Sequence, residues 1–126
     1  MKILTVDDSM TARLIVKNTF QECGHIVFEA PDGAVALNVV ASQPDDAPID
    51  VIFLDWNMPV MTGIECLQEL RKNRDYKNIK VVMCTTEAEK PSIMKAIQAG
   101  ANGYVLKPVT PAALTQQLAK VTGAAA

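Results

Sequence analysis

The stretch VIFLDWNMP, residues 51–59, decides how this chain is read. Val51, Ile52, Phe53 and Leu54 form an unbroken apolar run rich in β-branched and aromatic residues. Such a run, bounded by breakers, fits a strand buried on both faces. It ends abruptly on a carboxylate, Asp55, after which Trp56, Asn57, Met58 and Pro59 break the pattern. Four more short runs behave alike. ILTV (3–6) stops at Asp7-Asp8, and HIVFEA (25–30) precedes a Pro-Asp-Gly turn. IKVVMC (79–84) runs into Thr85-Thr86, and GYVL (103–106) into Lys107-Pro108.

Helical patterns fill the intervals. Ala12, Ile15, Val16, Thr19, Phe20 and Cys23 recur at three and four residues, with Ser9 or Thr11 as cap and Gly24 as stop. Gly33, Ala36, Leu37 and Val40 mark a second stripe, and Ile64, Leu67 and Leu70 a third, closed by the charged RKNRDYKN. In EKPSIMKAIQAG (89–100), Ile93, Met94 and Ile97 are expected to face inward, with Pro91 in the first turn and Gly100 as the stop. The last pattern has Thr110 as cap, Pro111 in the first turn, and Leu114, Leu118 and Val121 on the apolar side. Strict alternation of five strands with five helices predicts an α/β fold: one three-layer domain over 1–121, its parallel sheet covered on both faces. A short tail, 122–126, follows.

The chain has 126 residues, 49% hydrophobic and 21% charged, with a net charge of −2. Without a basic excess, electrostatic binding to nucleic acid is not expected. No apolar run approaches the roughly 20 residues of a membrane helix. The N-terminus turns acidic too early for a signal-peptide core, so no membrane partner and a cytoplasmic location are expected. Cys23, Cys66 and Cys84 lack metal-ligand spacing and read as reduced core or half-core thiols.

In an open parallel sheet, ligands bind beyond the carboxyl ends of the strands. Those ends carry Asp7-Asp8, Asp55, Thr85-Thr86 and Lys107; only the second strand ends blandly, at Glu29-Ala30, as an edge strand could. Converging carboxylates repel unless a cation lies among them. Hard oxygen donors suit Mg2+ alongside phosphate oxygens. A lysine supplies a point charge for phosphate, and Thr85 a hydrogen-bond donor. Asp55, after the most apolar strand, is the best-held carboxylate and the candidate for an aspartyl phosphate.

The blocks VDDS, FLDWNMPVMTG, VVMCTT and GYVLKP resemble those of two-component response-regulator receiver domains, from Lys2 to about Val121. DWNMP with AGANGYVLKP is most similar to the chemotaxis-type single-domain members. The resemblance implies a flavodoxin-like, doubly wound sheet in the order 2-1-3-4-5. It implies that Asp55 accepts a phosphoryl group from a sensor histidine kinase. It also implies that Asp8 and Asp55 bind Mg2+ by side chain, Asn57 by its backbone carbonyl and Asp7 through water. Thr85 and Tyr104 would be switch residues, Lys107 would pair with the phosphoryl group and precede a cis proline, and Asn57 and Glu87 would tune the lifetime of the phosphoryl group. Output would pass through the face of the fourth helix, fifth strand and fifth helix, with the flagellar motor switch as one target. The few lysines there depart from the motor-binding pattern; a chemotaxis-type role is expected first, with a phosphorelay intermediate or a receiver cut from a larger regulator as the alternative. Thr86 is bulkier than the residue usual in the family.

Other classes fit less well. An aspartyl-nucleophile phosphohydrolase would want an acid where Asn57 stands. A flavin carrier would need a phosphate-cradling loop where DDSMTAR is acidic. A receiver-like module that is never phosphorylated would not need the complete rim. The protein is therefore expected not to be an enzyme beyond its own phosphotransfer and dephosphorylation.

Overall fold

The computed structural model describes residues 1–86 and 91–123. The elements run β1 (Lys2–Val6), α1 (Met10–Glu22), β2 (Ile26–Ala30), α2 (Gly33–Ser42), β3 (Val51–Asp55), α3 (Gly63–Lys72), β4 (Lys80–Thr85), α4 (Ile93–Gln98), β5 (Gly103–Leu106) and α5 (Pro111–Thr122). A 3-10 turn, Arg74–Tyr76, links α3 to β4. All strand pairs are parallel, in the order β2-β1-β3-β4-β5. The α/β fold and strand order are those expected, and β2 is indeed an edge strand.

The pleat divides each central strand between two cores. Ile52 and Leu54 of β3 join Leu4, Val81 and Met83 beneath α2, α3 and α4. Val51 and Phe53 join Ile3, Val82 and Cys84 beneath α1 and α5. All five residues of β3 are buried, as its continuous apolar run requires.

Local chemistry sets the helix ends. Ser9, rather than Thr11, caps α1 by accepting from Ala12 N. Asp32 caps α2 and Thr110 caps α5, with Pro111 opening the helix. Thr62 and Glu65 form a reciprocal capping box on α3. The last helix continues through Thr122 and closes on Gly123 in the left-handed conformation, slightly beyond the Val121 boundary expected.

Three inward assignments are overturned. Cys23 is exposed: α1 ends at Glu22 and the chain swings away at Gly24 (φ 87°), so the helical repeat no longer applies. Met94 and Ile97 are also exposed, at 64% and 44%. Helix α4 begins only at Ile93, after Pro91, and its one and a half turns bury Ile93 and Ala96. Burial follows the i, i+3 pair Ile93 and Ala96 instead of Met94 and Ile97.

Cys66 and Cys84 are buried, and burial pushes both thiols up to about 12. A maleimide at neutral pH should therefore add once to the native protein, at Cys23, and three times in denaturant. Intact mass reads both outcomes.

Candidate functional site

The side-by-side pairing of β1 and β3 (Val6 opposite Leu54) brings Asp7 beside Asp55. Both are buried, at 5% and 3% exposure, whereas Asp8 is exposed. Lys107, just beyond β5, spans the two buried acids: its Nζ lies 3.1 Å from Asp7 Oδ2 and 2.6 Å from Asp55 Oδ1. One carboxylate oxygen from each of Asp7, Asp8 and Asp55 lies within 4.8 Å of the others. At the end of β4, Thr85 is fully buried and its Oγ1 has no hydrogen-bond partner. The strand ends singled out in the sequence thus meet at one rim.

Each group is held by its neighbours. Asp7 Oδ1 accepts from Ser9 N (2.9 Å), and Arg13 Nη1 donates to the Asp7 carbonyl (2.6 Å). Arg13 in turn pairs with Glu29 on the edge strand (3.3 Å). Lys107 N donates to Thr85 O (2.7 Å), and the Lys107–Pro108 peptide is cis, as the resemblance implied. Past Asp55, Trp56 N donates to Cys84 O and Gly63 N to Trp56 O. A Cβ on Gly63 would collide with the Asp55 carbonyl, so only glycine lets α3 start against the strand end. In the turn between, Val60 takes φ 70° with its side chain 84% exposed, a strained setting for a β-branched residue.

Burial raises the Asp55 pKa to about 6; Lys107 opposes that shift, and the negative charges of Asp7 and Asp8 reinforce it. Burial alone would lower the Lys107 pKa, but the hydrogen bond and charges of Asp55 and Asp7 outweigh it and raise the value. Three acids against one ammonium leave net negative charge at a largely buried place. A hard divalent cation fits that donor set.

The remaining expected site residues take different settings. Asn57 is exposed in the loop after Trp56, which is itself half-buried against the core. Tyr104 is half-buried in β5 opposite Met83, one layer below the Thr85–Leu106 pair. Glu87 lies outside the described residues. Sequence reasoning missed Arg13, unremarked within DDSMTAR, and Arg71, taken only as part of the charged RKNRDYKN. Arg71 turns inward from α3 and donates to the carbonyls of Tyr76, Ile79 and Gly100 and to Asn102 Oδ1. Its one available signal was position: a basic residue one place past the buried Leu70.

The sequence model of the response regulator receiver domain family matches residues 3–119. The chain belongs to that family. It is 40% identical over 124 residues to a chemotaxis protein CheY homolog of Campylobacter jejuni, covering 98% of this chain and 93% of that protein. It is 43% identical over 122 residues to the chemotaxis protein CheY of Pseudomonas aeruginosa, covering 96% and 95%. The solved structure of the chemotaxis response regulator CheY4 of Vibrio cholerae superposes with a TM-score of 0.86 at 38% identity, covering 95% of this chain and 97% of that one. The receiver is thus of CheY type, within two-component signalling. Among its described residues no helix is long and apolar enough to cross a membrane.

The raised Asp55 pKa fixes the sign of a pH effect. Between roughly pH 4 and 6 the folded receiver holds a proton on Asp55 that the unfolded chain has already released. Stability of the metal-free protein should therefore fall as pH rises through that window. Urea unfolding of wild type and Asp55→Asn should show the slope in the first and its loss in the second.

Gly63→Ala should lower stability by about 2 kcal/mol, because backbone rather than a flexible side chain must yield. Thermal unfolding measures it.

Proposed function

We propose that this receiver accepts a phosphoryl group on Asp55 from a histidine kinase and thereby switches its binding to a downstream protein. The observation that carries the reading is the buried pair Asp7–Asp55 bridged by Lys107, beside a Thr85 hydroxyl that lacks a partner. Lys107 engages Oδ1 of Asp55, leaving Oδ2 as the attacking oxygen. The P–N bond of the phosphohistidine breaks as the O–P bond forms, and the imidazole leaves with a proton from solvent. The site need only position and neutralise charge, since phosphoryl transfer asks for little else.

Asp8 and Asp55 would hold Mg2+ directly, Asp7 through water, and Asn57 through its backbone carbonyl. Bound Mg2+ supplies countercharge for the phosphoryl oxygens. Lys107 then pairs with a phosphoryl oxygen, and the Thr85 hydroxyl donates to another, acquiring the partner it now lacks. Tyr104, sharing the β4–β5 ladder with Thr85, follows that movement. Asn57 and Glu87 set the rate at which water removes the group. The protein is a signalling module with no other substrate.

The face of α4, β5 and α5 transmits the change, with Met94 and Ile97 exposed on α4. The CheY relatives make chemotaxis the leading setting and the flagellar motor switch a partner of the right kind. Lys95 and Lys120 are the only basic residues of α4 and α5, a departure from a basic motor-binding surface; a phosphorelay role is the second reading. A cytoplasmic location goes with a kinase phosphodonor.

Acetyl phosphate with Mg2+ should add one phosphoryl group by intact mass, and Asp55→Asn or EDTA should abolish the adduct. Thr85→Ala should still be phosphorylated but should lose the phosphorylation-dependent change in tyrosine fluorescence. An adduct that survives Asp55→Asn would overturn the assignment.

A further inference from the structure

A second concavity opens behind the acidic rim, between the first turns of α1 and the segment after β5. It is a cavity of about 210 Å3. Ala12 and Ile15 of α1 form one wall, Pro108 and Val109 the other, and Thr5 and Cys84 the floor. Asp7, Ser9 and Lys107 stand at its mouth.

The apolar side chains that line it are mostly small: Ala12, Cys84, Pro108 and Val109, with Ile15 the largest. The cavity opens to solvent, and most of the residues that line it are apolar or present methyl groups. An apolar cavity of about 150 Å3 is enough to take up benzene.

We infer that this cavity is a binding site for a small neutral aromatic molecule carrying one hydrogen-bond donor, of phenol to indole size. The apolar walls offer a flat ring the dispersion contacts the void lacks. The mouth selects the polar group. Asp7 uses one lone pair of each oxygen, on Ser9 N and on Lys107 Nζ, and each carboxylate oxygen can accept again. Acids outnumber Lys107 at the rim, so an anionic head group is repelled. A cationic head group is better placed among the three acids of the rim than inside an apolar cavity that cannot solvate it. Burial keeps the Cys84 thiol protonated, so the floor carries no charge. A ring seated there would pack behind the stem of Lys107, within reach of the group that pairs with Asp55.

The test needs neither metal nor phosphodonor, so it stands apart from the phosphorylation reading. Metal-free receiver is titrated with phenol, indole and benzene while methyl and amide resonances are followed by NMR. Saturable shifts should centre on Ala12, Ile15, Val16 and Val109. Phenol should bind about tenfold more tightly than benzene, the value of one hydrogen bond to a charged acceptor. Val109→Phe and Ala12→Leu each fill the space and should abolish binding while raising the melting temperature. Two variants are used because either alone could overpack. Non-saturating shifts, saturation elsewhere, equal binding of phenol and benzene, or binding undiminished in both folded variants would overturn the inference.

Discussion

One ammonium group holds the functional end of this molecule together. Lys107 reaches two carboxylates that the β1–β3 pairing forces into proximity and that burial has removed from water. Without it, Asp7 and Asp55 would be two like charges in a poorly solvated place, an arrangement costing several kcal/mol per unpaired ion. Even with it, Asp55 gives up its proton only near pH 6. Much else follows from keeping Lys107 where it is. Its own amide bonds to Thr85 O, the next peptide is cis, and α5 begins shortly afterwards on a capped, proline-led turn.

The acids are fixed with similar economy. Arg13 locks the Asp7 carbonyl while reaching across to Glu29, so the first helix, the first strand and the edge strand are tied at one point. The start of α3 rests directly on the backbone of Asp55, through a glycine that has no room for a side chain. The acceptor is therefore held from its own strand, from the neighbouring strand and from the helix that follows. Such restraint suits chemistry in which the protein's chief contribution is position.

Much of this was legible in the sequence because it depends on order and period. The burial of VIFL, the alternation of strands and helices, and the polar residue after each central strand suffice to place Asp7, Asp55, Thr85 and Lys107 on one rim. What escaped depends on side-chain direction at element ends. Cys23 continues a helical repeat on paper, but the helix has stopped. Met94 looks like core and points to solvent, while Ala96, beside larger apolar neighbours in the sequence, is buried with Ile93. Arg13 and Arg71 carry no pattern in the sequence; each reaches a main-chain carbonyl that no spacing rule could foretell. The cavity beneath Val109 was equally invisible, since a void is a property of neighbours that meet only in the fold.

The pleat has one more effect. Asp55 continues the series Val51, Phe53 and so belongs to the layer of α1 and α5, whereas Thr85 continues Val81, Met83 and belongs to the layer of α2, α3 and α4. Two groups adjacent at the rim are thus rooted in opposite halves of the molecule. An event that draws them together pulls on both sides of the sheet at once, and the sheet edge acts as the yoke between two otherwise separate hydrophobic cores.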